Sequence, residues 1–345
     1  MTARLAFVLV SLICAACGGG DRPPDGAAAD LAIVNGKVHT SDDANHVAQA
    51  VAIAGNTILK VGTDDEIKSV TGPKTRVIDA HGATVAPGFN DSHVHFLSGG
   101  RSLSDVDLAG LTTLPQVQDK IRAFSAGKPA DAWIKGRGWQ IQIHAIGDRA
   151  IRMSLDAIEK AAAANPAPAR GRRHRIEHIE AVSAADIPRF GALGVIASQQ
   201  PIHAALGDVN QAAPKGPWPD AIGPERASRA WAWKSILAAG GRLTFGSDWP
   251  VAPLEAGQGI WLASTRVQAN GADDQRLTID QAIAGYTRWP AYASFEERRK
   301  GTLAPGMLAD VVVLASDIAA APIASPESVV LAATIFDGKV VYEKK

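Results

Sequence analysis

The sequence PGFNDSHVHF, at residues 87–96, follows an apolar segment at 83–86, and the interpretation of the whole chain starts from it. The apolar segment predicts a buried strand, which the Pro-Gly pair ends. His93 and His95 then stand one residue apart, and on a strand such residues point to the same face. Two imidazoles side by side could hold a divalent metal, although this spacing also arises by chance. Further histidines and acids at the ends of other strands would favour the metal site.

Length and composition limit the classes of protein that this chain can be. Its 345 residues are 46% apolar, which is enough for a sizeable core in one large domain or two smaller ones. Basic and acidic residues both number 35, so no net charge attracts nucleic acid or an anionic membrane. Both cysteines, Cys14 and Cys17, precede the body of the chain. The body therefore has no disulfide framework and no thiolate metal site.

The first 30 residues predict export rather than a folded element. The apolar run at 5–16 is too short to span a bilayer as a mature helix. Small residues before Cys17, with glycines after it, resemble a bacterial lipoprotein signal; the alternative is an ordinary cleaved export signal. The resemblance implies cleavage before Cys17, lipidation of its thiol, and anchoring in the cell envelope on the periplasmic side. We expect a signal peptide at 1–17 and a flexible tether at 18–30.

The body of the chain changes from β structure to alternating strands and helices, and then back to β structure. Alternation of strands with helices implies a parallel sheet. We therefore predict an α/β fold: a shortened TIM-type (β/α) barrel at 85–300, with a small β-sandwich domain formed by 31–84 and 301–345. The predicted strands of the middle part lie at 132–139, 140–144, 175–179, 195–201 and 243–250, and its helices at 114–124, 148–164, 183–193, 225–239 and 278–286.

Histidines and one acid stand at the ends of separate apolar strands. After the pair His93 and His95, such strands end in His144, His178 and Asp248. In a parallel β/α barrel the carboxyl ends of the strands converge on one face, where active sites lie. Imidazole and carboxylate ligands without thiolate suit zinc, and also manganese, iron or cobalt. Asp248 is the candidate to take a proton from a metal-activated water and to return it.

The motifs around these residues resemble the amidohydrolase superfamily. They are most similar to the branch, amidohydrolase family 3, that contains N-substituted formamide deformylases and YtcJ-like hydrolases. The resemblance implies hydrolysis of a C–N bond in an amide-like small molecule, with one or two divalent metal ions and zinc favoured. It implies metal ligands at His93, His95, His144, His178 and Asp248, with Asp248 also as proton shuttle. The motifs that carry the resemblance lie at 33–38, 85–95, 144–150, 175–178, 245–250 and 300–310.

The chain departs from the resembled branch between two of its motifs. Members carry a long stretch between the Gly-x-Gly-Trp strand and the His-Ala-Ile-Gly-Asp strand, but here Trp139 directly precedes Gln140. The missing stretch would contain the middle of the barrel and the lysine or glutamate that bridges two metals, so a single metal ion is the safer expectation. Missing strands would also expose sheet edges. A smaller closed barrel or a homo-oligomer would cover such edges.

Other residues have weaker assignments. Candidate substrate contacts follow a strand end, as Gln200 and His203 do, or flank the metal motifs, as Trp139 and Trp249 do. Loop polarity explains the first two equally well, whereas core packing is the favoured explanation for the two tryptophans. Trp231 and Trp233 are assigned to the core. Four other histidines are assigned to the surface: His39, His46, His81 and His174.

Two further functions stay open: a non-catalytic lipoprotein, and a metal-dependent esterase or lactonase on the same scaffold, because the ligands alone do not separate C–N from C–O cleavage. The expected partners are a small-molecule substrate, no nucleic acid, and a membrane only through the lipid anchor.

Overall fold

A computed structural model describes residues 28–94, 140–164, 167–205, 217–266, 273–320, 325 and 329–344. Several predicted features lie outside these residues: the signal peptide with Cys17, His95, the helix at 114–124, and the strand at 132–139 with Trp139. Within the described ranges, no helix is both long and apolar enough to cross a membrane.

The described elements follow the predicted order of β, then β/α, then β structure. The first part has β1 Leu31–Val34, β2 Lys37–His39, β3 Val47–Ala48, β4 Ala50–Ala54, β5 Thr57–Gly62, α1 Asp64–Lys68, β6 Arg76–Asp79 and β7 Thr84–Pro87. The middle has β8 Gln142–Ala145, α2 Asp148–Ala164, β9 Arg175–His178, α3 Ile187–Leu193, β10 Ile196–Gln199, α4 Pro217–Ala227, α5 Trp233–Ala238, β11 Arg242–Phe245, α6 Ala256–Thr265, α7 Ile279–Tyr286 and α8 Arg288–Ala293. The last part has β12 Val311–Leu314, β13 Leu331–Phe336 and β14 Lys339–Glu343.

Strands from the two ends of the chain meet in one mixed sheet, with the order β14-β13-β12-β7-β2-β3, and a second sheet has the order β5-β4-β1-β6. β7 joins the two ends, because it pairs antiparallel with β12 and parallel with β2. Side chains of both sheets, among them Ile33 and Val313, lie in one hydrophobic cluster. Neighbouring residues on a strand face opposite ways, and Ala32 accordingly packs in a different cluster, with residues of α1.

The middle part contains a parallel sheet with the order β8-β9-β10-β11. The strands lie in the sheet in the same order as in the chain, and helices connect them. This arrangement is found in the wall of a β/α barrel. β9 and β10 are buried along their whole length. β8 differs, because among the described strands it pairs only with β9, and its Gln142 and His144 are exposed. Ile141 and Ile146, which flank β8, are 49% and 38% exposed.

Residues 91–93 lie beside the carboxyl end of β11. The Ser92 N–H donates to the carbonyl of Phe245 (3.0 Å), and the Asp248 N–H donates to the carbonyl of His93 (2.8 Å). The predicted strand at 83–86 therefore does not continue into the histidine pair. β7 follows β12 as far as Gly88, whose N–H donates to the carbonyl of Asp310 (2.8 Å), and the chain then crosses to the parallel sheet, where His93 lies in a bend.

Two predictions about local structure were wrong. The helix expected at 225–239 is divided into α4 and α5, because the chain turns at Trp231, which has a φ of 49° and donates its N–H to the carbonyl of Glu180 (2.9 Å). His39 is not on the surface: it is buried, and its Nδ1 lies 2.7 Å from Asp280 Oδ1. The assignment of Trp231 and Trp233 to the core is confirmed.

Two glycines bring α6 and α7 close to their neighbours. A Cβ atom at Gly285 of α7 would overlap the ring of Phe245 in β11. A Cβ atom at Gly259 of α6 would overlap the hydroxyl of Tyr286. Close packing of this kind leaves no room for another methyl group. The helices thereby hold Phe245, the residue whose carbonyl receives the Ser92 N–H.

Candidate metal centre

His93, His178 and Asp248 meet beyond the carboxyl ends of β9 and β11. One ligand atom of each lies within 4.8 Å of the others. His93 Nε2 lies 3.2 Å from Asp248 Oδ1, and His178 Nδ1 lies 4.0 Å from Asp248 Oδ2. The rings of His93 and His178 meet edge to face with centroids 5.1 Å apart. The structure therefore brings three of the predicted metal ligands into one largely buried space.

The backbone at the strand ends directs these side chains. His178 and Asp248 have φ angles of 77° and 60°, which residues other than glycine seldom adopt. Such conformations cost roughly 1–3 kcal/mol each and cluster at functional sites. The hydrogen bond from the Asp248 N–H to the His93 carbonyl holds two of the three residues together through the main chain.

His144 and His203 lie on either side of His178. The His144 ring meets that of His178 edge to face, with centroids 4.3 Å apart, but His144 is exposed on β8, which pairs only with β9 among the described strands. His203 is buried in the 3₁₀ turn Pro201–Ala205, and its ring stacks on His178 with centroids 5.9 Å apart. His203 Nε2 lies 3.6 Å from Asp248 Oδ2, so this predicted substrate contact reaches the same space.

The other predicted site residues differ in their surroundings. Gln200 is buried at the end of β10, and its side-chain amide makes no hydrogen bond to any described residue. Trp249 directly follows Asp248 and is half-buried. His95 and Trp139 lie outside the described residues. The roles of all four stay predictions.

Sequence analysis missed two buried carboxylates. Glu177 Oε2 lies 3.1 Å from His93 Nδ1, and Glu180 Oε1 lies 3.3 Å from His203 Nδ1. Both glutamates are at most 7% exposed. A signal was available, because both flank His178 in an otherwise apolar segment, and acids are seldom buried there without a partner.

The carboxylates beside His93 favour the protonated, positively charged form of its ring, whereas the ring of His178 is neutral. Burial lowers the pKa of His93, but the contacts with Asp248 and Glu177 outweigh burial and raise this pKa to about 9. Burial lowers the pKa of His178 to about 4. Burial raises the pKa of Asp248, but the hydrogen bond from His93 and nearby imidazoles outweigh it, so this pKa lies below its usual value. A neutral imidazole beside a carboxylate is the form in which these groups bind metals.

The donor set fits a divalent metal ion. Neither ring nitrogen of His178 forms a hydrogen bond to a described residue, and the same holds for His203 Nε2. Buried polar atoms are normally satisfied, so these nitrogens have the properties of ligand atoms. Imidazole and carboxylate ligands suit zinc and related metals. Glu177 beside His93 Nδ1 is the carboxylate support that metal-binding imidazoles commonly have.

A sequence profile described as the Amidohydrolase family matches residues 76–140 and 137–342, which is more than half of the chain. The chain belongs to the amidohydrolase family. The two matched segments of this amidohydrolase meet at 137–140, where Trp139 adjoins Gln140. This position agrees with the predicted absence of the middle of the barrel.

Curated relatives support the predicted branch. The chain is 37% identical to the protein LONG AFTER FAR-RED 3 of Arabidopsis thaliana over 185 residues, which are 52% of this chain and 30% of that protein. It is 32% identical to a protein of Bacillus subtilis (strain 168) named "Putative amidohydrolase YtcJ", over 60% of this chain and 38% of that protein. It is 37% identical to an N-substituted formamide deformylase of Arthrobacter pascens over 31% of this chain and 20% of that enzyme. The chain thus spans 20–38% of the length of these relatives.

Solved structures support the predicted fold class. An uncharacterised metal-dependent hydrolase from Pyrococcus horikoshii OT3 matches the amidohydrolase with a TM-score of 0.62, over 85% of this chain and 98% of that chain. The two share 17% identity, so the likeness concerns the fold alone. The α/β fold is confirmed, whereas the shortened barrel, the β-sandwich and the domain bounds stay predictions.

Proposed function

We propose that this amidohydrolase is a metal-dependent hydrolase that cleaves C–N bonds in amide-like small molecules. The observation that supports it is the buried set of His93, His178 and Asp248, with ligand atoms within 4.8 Å of each other. A divalent ion in this set, with zinc favoured, would polarise a carbonyl group and lower the pKa of a water molecule. The relative named as an N-substituted formamide deformylase supports a C–N bond as the target.

In this proposal Asp248 moves the proton. The pKa of its carboxyl group lies below the usual value, so the group is ionised near neutral pH and can accept a proton. Returning that proton to the leaving nitrogen completes hydrolysis, because an amine leaves more readily after protonation. Glu177 holds the His93 ring through Nδ1 and fixes the direction of Nε2.

One observation favours a second candidate, a non-catalytic member of the family. His144 is exposed on the edge strand β8, whereas His93 and His178 are mostly shielded from solvent. An exposed ligand binds a metal less tightly, since water competes for both partners. A metal-dependent esterase or lactonase is a third candidate, because the same ligands serve C–O cleavage.

The test measures bound metal and hydrolysis on one preparation of the full chain. We expect about one divalent ion per chain, and faster cleavage of an N-substituted formamide than of the matching formate ester. The Asp248→Asn variant should lower turnover by about 10²–10⁴-fold, whereas His81→Asn, at an exposed turn, should change nothing. A metal-free protein that shows no turnover, or turnover indifferent to Asp248→Asn, would contradict a metal-dependent hydrolase. Cleavage of the ester without any cleavage of the formamide would contradict C–N cleavage.

We also infer that the protein is exported and anchored to the cell envelope through a lipid on Cys17. The motif around Cys17 supports this inference. We expect a Cys17→Ser variant to be absent from the membrane fraction of the producing cell. Retention of that variant in the membrane fraction would contradict the lipid anchor.

A further inference from the structure

We propose that His203 is an additional ligand of the metal centre, and that Glu180 and Trp218 hold its imidazole in place. The inference rests on the proposed metal-dependent function. It assigns a role at the metal to a histidine for which the sequence suggested only a contact with substrate.

The surroundings of His203 direct one ring nitrogen to each of two carboxylates. The residue is 7% exposed and follows β10 in the turn Pro201–Ala205. Its Nδ1 lies 3.3 Å from Glu180 Oε1, and its Nε2 lies 3.6 Å from Asp248 Oδ2. Nε2 is buried and forms no hydrogen bond to any described residue. A buried imidazole nitrogen in this condition is a candidate ligand.

Glu180 determines which nitrogen carries the hydrogen. Its other oxygen, Oε2, accepts a hydrogen bond from Trp218 Nε1 at 2.7 Å. A carboxylate oxygen accepts hydrogen bonds, and Oε1 lies beside Nδ1 of His203. In the tautomer in which Nδ1 donates to Oε1, Nε2 carries the lone pair that a metal ion needs. The Trp218 ring packs on Trp231 with centroids 4.7 Å apart, which limits its movement. An imidazole whose far nitrogen donates to a carboxylate is the usual form of a metal-bound histidine.

His203 falls with His178 and Glu180 in a second group whose ligand atoms lie within 4.8 Å of one another, and this group shares His178 with the first. The distances from His203 and His178 to Asp248 are each compatible with two ligands of one ion. Ligand atoms bound at about 2.1 Å lie about 3.4 Å apart in tetrahedral geometry and about 4.2 Å apart when they face each other across the metal. Asp248 Oδ2 lies 3.6 Å from His203 Nε2 and 4.0 Å from His178 Nδ1, both inside this range. Asp248 Oδ1 lies instead on the side of His93. Glu180 is a poorer ligand than His203, because both of its oxygens already have partners.

The experiment titrates the chelator-treated full chain with Zn²⁺ and, for its visible absorption, with Co²⁺. We expect His203→Asn to weaken Zn²⁺ binding by at least about 10–100-fold and to change the Co²⁺ spectrum, and Glu180→Gln to weaken binding by a similar or smaller factor. The control is His81→Asn, since His81 lies at an exposed turn. A wild-type chain that binds no metal contradicts the proposed function itself. A wild-type chain that binds metal, with His203→Asn binding it equally well and with the same Co²⁺ spectrum, contradicts this inference alone.

A second variant guards against misfolding of the first. His203→Gln places a side-chain oxygen near the position of Nε2, whereas the shorter side chain of His203→Asn does not reach it. If position 203 reaches the metal, we expect His203→Gln to bind Zn²⁺ more tightly than His203→Asn and to give a Co²⁺ spectrum that differs from wild type. A folded, Co²⁺-bound His203→Gln variant with the wild-type spectrum contradicts the inference, as does a His203→Asn variant in which only KM rises, because His203 would then contact substrate.

Discussion

Glu177 Oε2 lies 3.1 Å from Nδ1 of His93, while Asp248 Oδ1 lies 3.2 Å from Nε2 of the same ring. The imidazole is thus held between two carboxylates, of which sequence analysis identified one. Supports of this kind set the direction and basicity of a metal ligand.

The first prediction concerns this support. Glu177→Gln keeps the size of the side chain but removes the charge that faces Nδ1. We expect Zn²⁺ affinity to fall by about 10–100-fold, as measured by competition with a chelator. Glu255→Gln is the matched control, because Glu255 is exposed. Equal affinity in Glu177→Gln and wild type would show that Glu177 does not support the centre.

The second prediction concerns the pair of buried His39 in β2 and half-buried Asp280 in the first turn of α7, whose side chains lie 2.7 Å apart. Removing one partner leaves the other partly buried without its hydrogen bond. We expect His39→Ala to lower the free energy of unfolding by about 1–3 kcal/mol, as measured by urea denaturation. The exposed pair of His46 and Asp42 is the control, and His46→Ala should cost less than about 1 kcal/mol. Equal losses in both variants would contradict the assigned role.

The third prediction concerns pH. Arg173 donates two hydrogen bonds to Glu297, at 2.9 and 2.7 Å, and they hold the pKa of Glu297 below its ordinary value of 4.5. A carboxyl group with a lower pKa in the folded state stabilises the fold above its unfolded pKa, and this contribution is lost as the pH falls through the folded value. We expect Glu297→Gln to cost about 1 kcal/mol at pH 7, since the pair is partly exposed. The difference from wild type should shrink below pH 4.5.

Urea denaturation of both proteins at several pH values measures this difference. Glu225→Gln is the control, because Glu225 also pairs with an arginine but is 86% exposed. A difference between wild type and Glu297→Gln that stays constant from pH 7 to the acid range would contradict the assignment to Glu297.

The fourth prediction concerns Gly285 in α7. Alanine normally stabilises a helix relative to glycine by roughly 1 kcal/mol. Here the added methyl group would overlap Phe245, so we expect Gly285→Ala to destabilise the protein by about 1–3 kcal/mol. It should also weaken metal binding, because Phe245 holds Ser92 and thereby the neighbouring His93. Thermal unfolding and Zn²⁺ titration measure the two effects. Gly72→Ala, where the methyl group would make an ordinary contact, is the control; a stabilised Gly285→Ala variant would refute the packing argument.

Local patterns were sufficient to predict most single elements. The apolar spacing of α2 and the Asn-Pro pair that follows it give the helix 148–164 as observed. The helix predicted at 278–286 is observed as α7, and the structure adds that Thr278 and Gln281 cap its start. The pairing between elements was harder to predict, because it joins segments that are far apart in the chain. The apolar run at 83–86 predicts a buried strand but not that β7 pairs with β12 rather than with the parallel sheet.

The candidate centre shows the same division. His178 and Asp248 could be predicted because each follows an apolar strand and matches a family motif. Glu177 had a signal, since it adjoins His178 in an apolar segment, but its partner His93 comes from another segment. His39 had none, because it is held by Asp280, a side chain from another segment. Burial of a polar group depends on its partner, and a single sequence does not name that partner.

The hydrogen bond from Ser92 to Phe245 has a consequence for how the molecule assembles. The two residues are 153 positions apart, so the bond closes a long loop. Contacts of long sequence separation form late in folding, because the chain between them must first become ordered. During synthesis the segment with His93 emerges well before β11. An ion captured early would meet His93 without Asp248, so tight metal retention should first occur in chains that have completed folding.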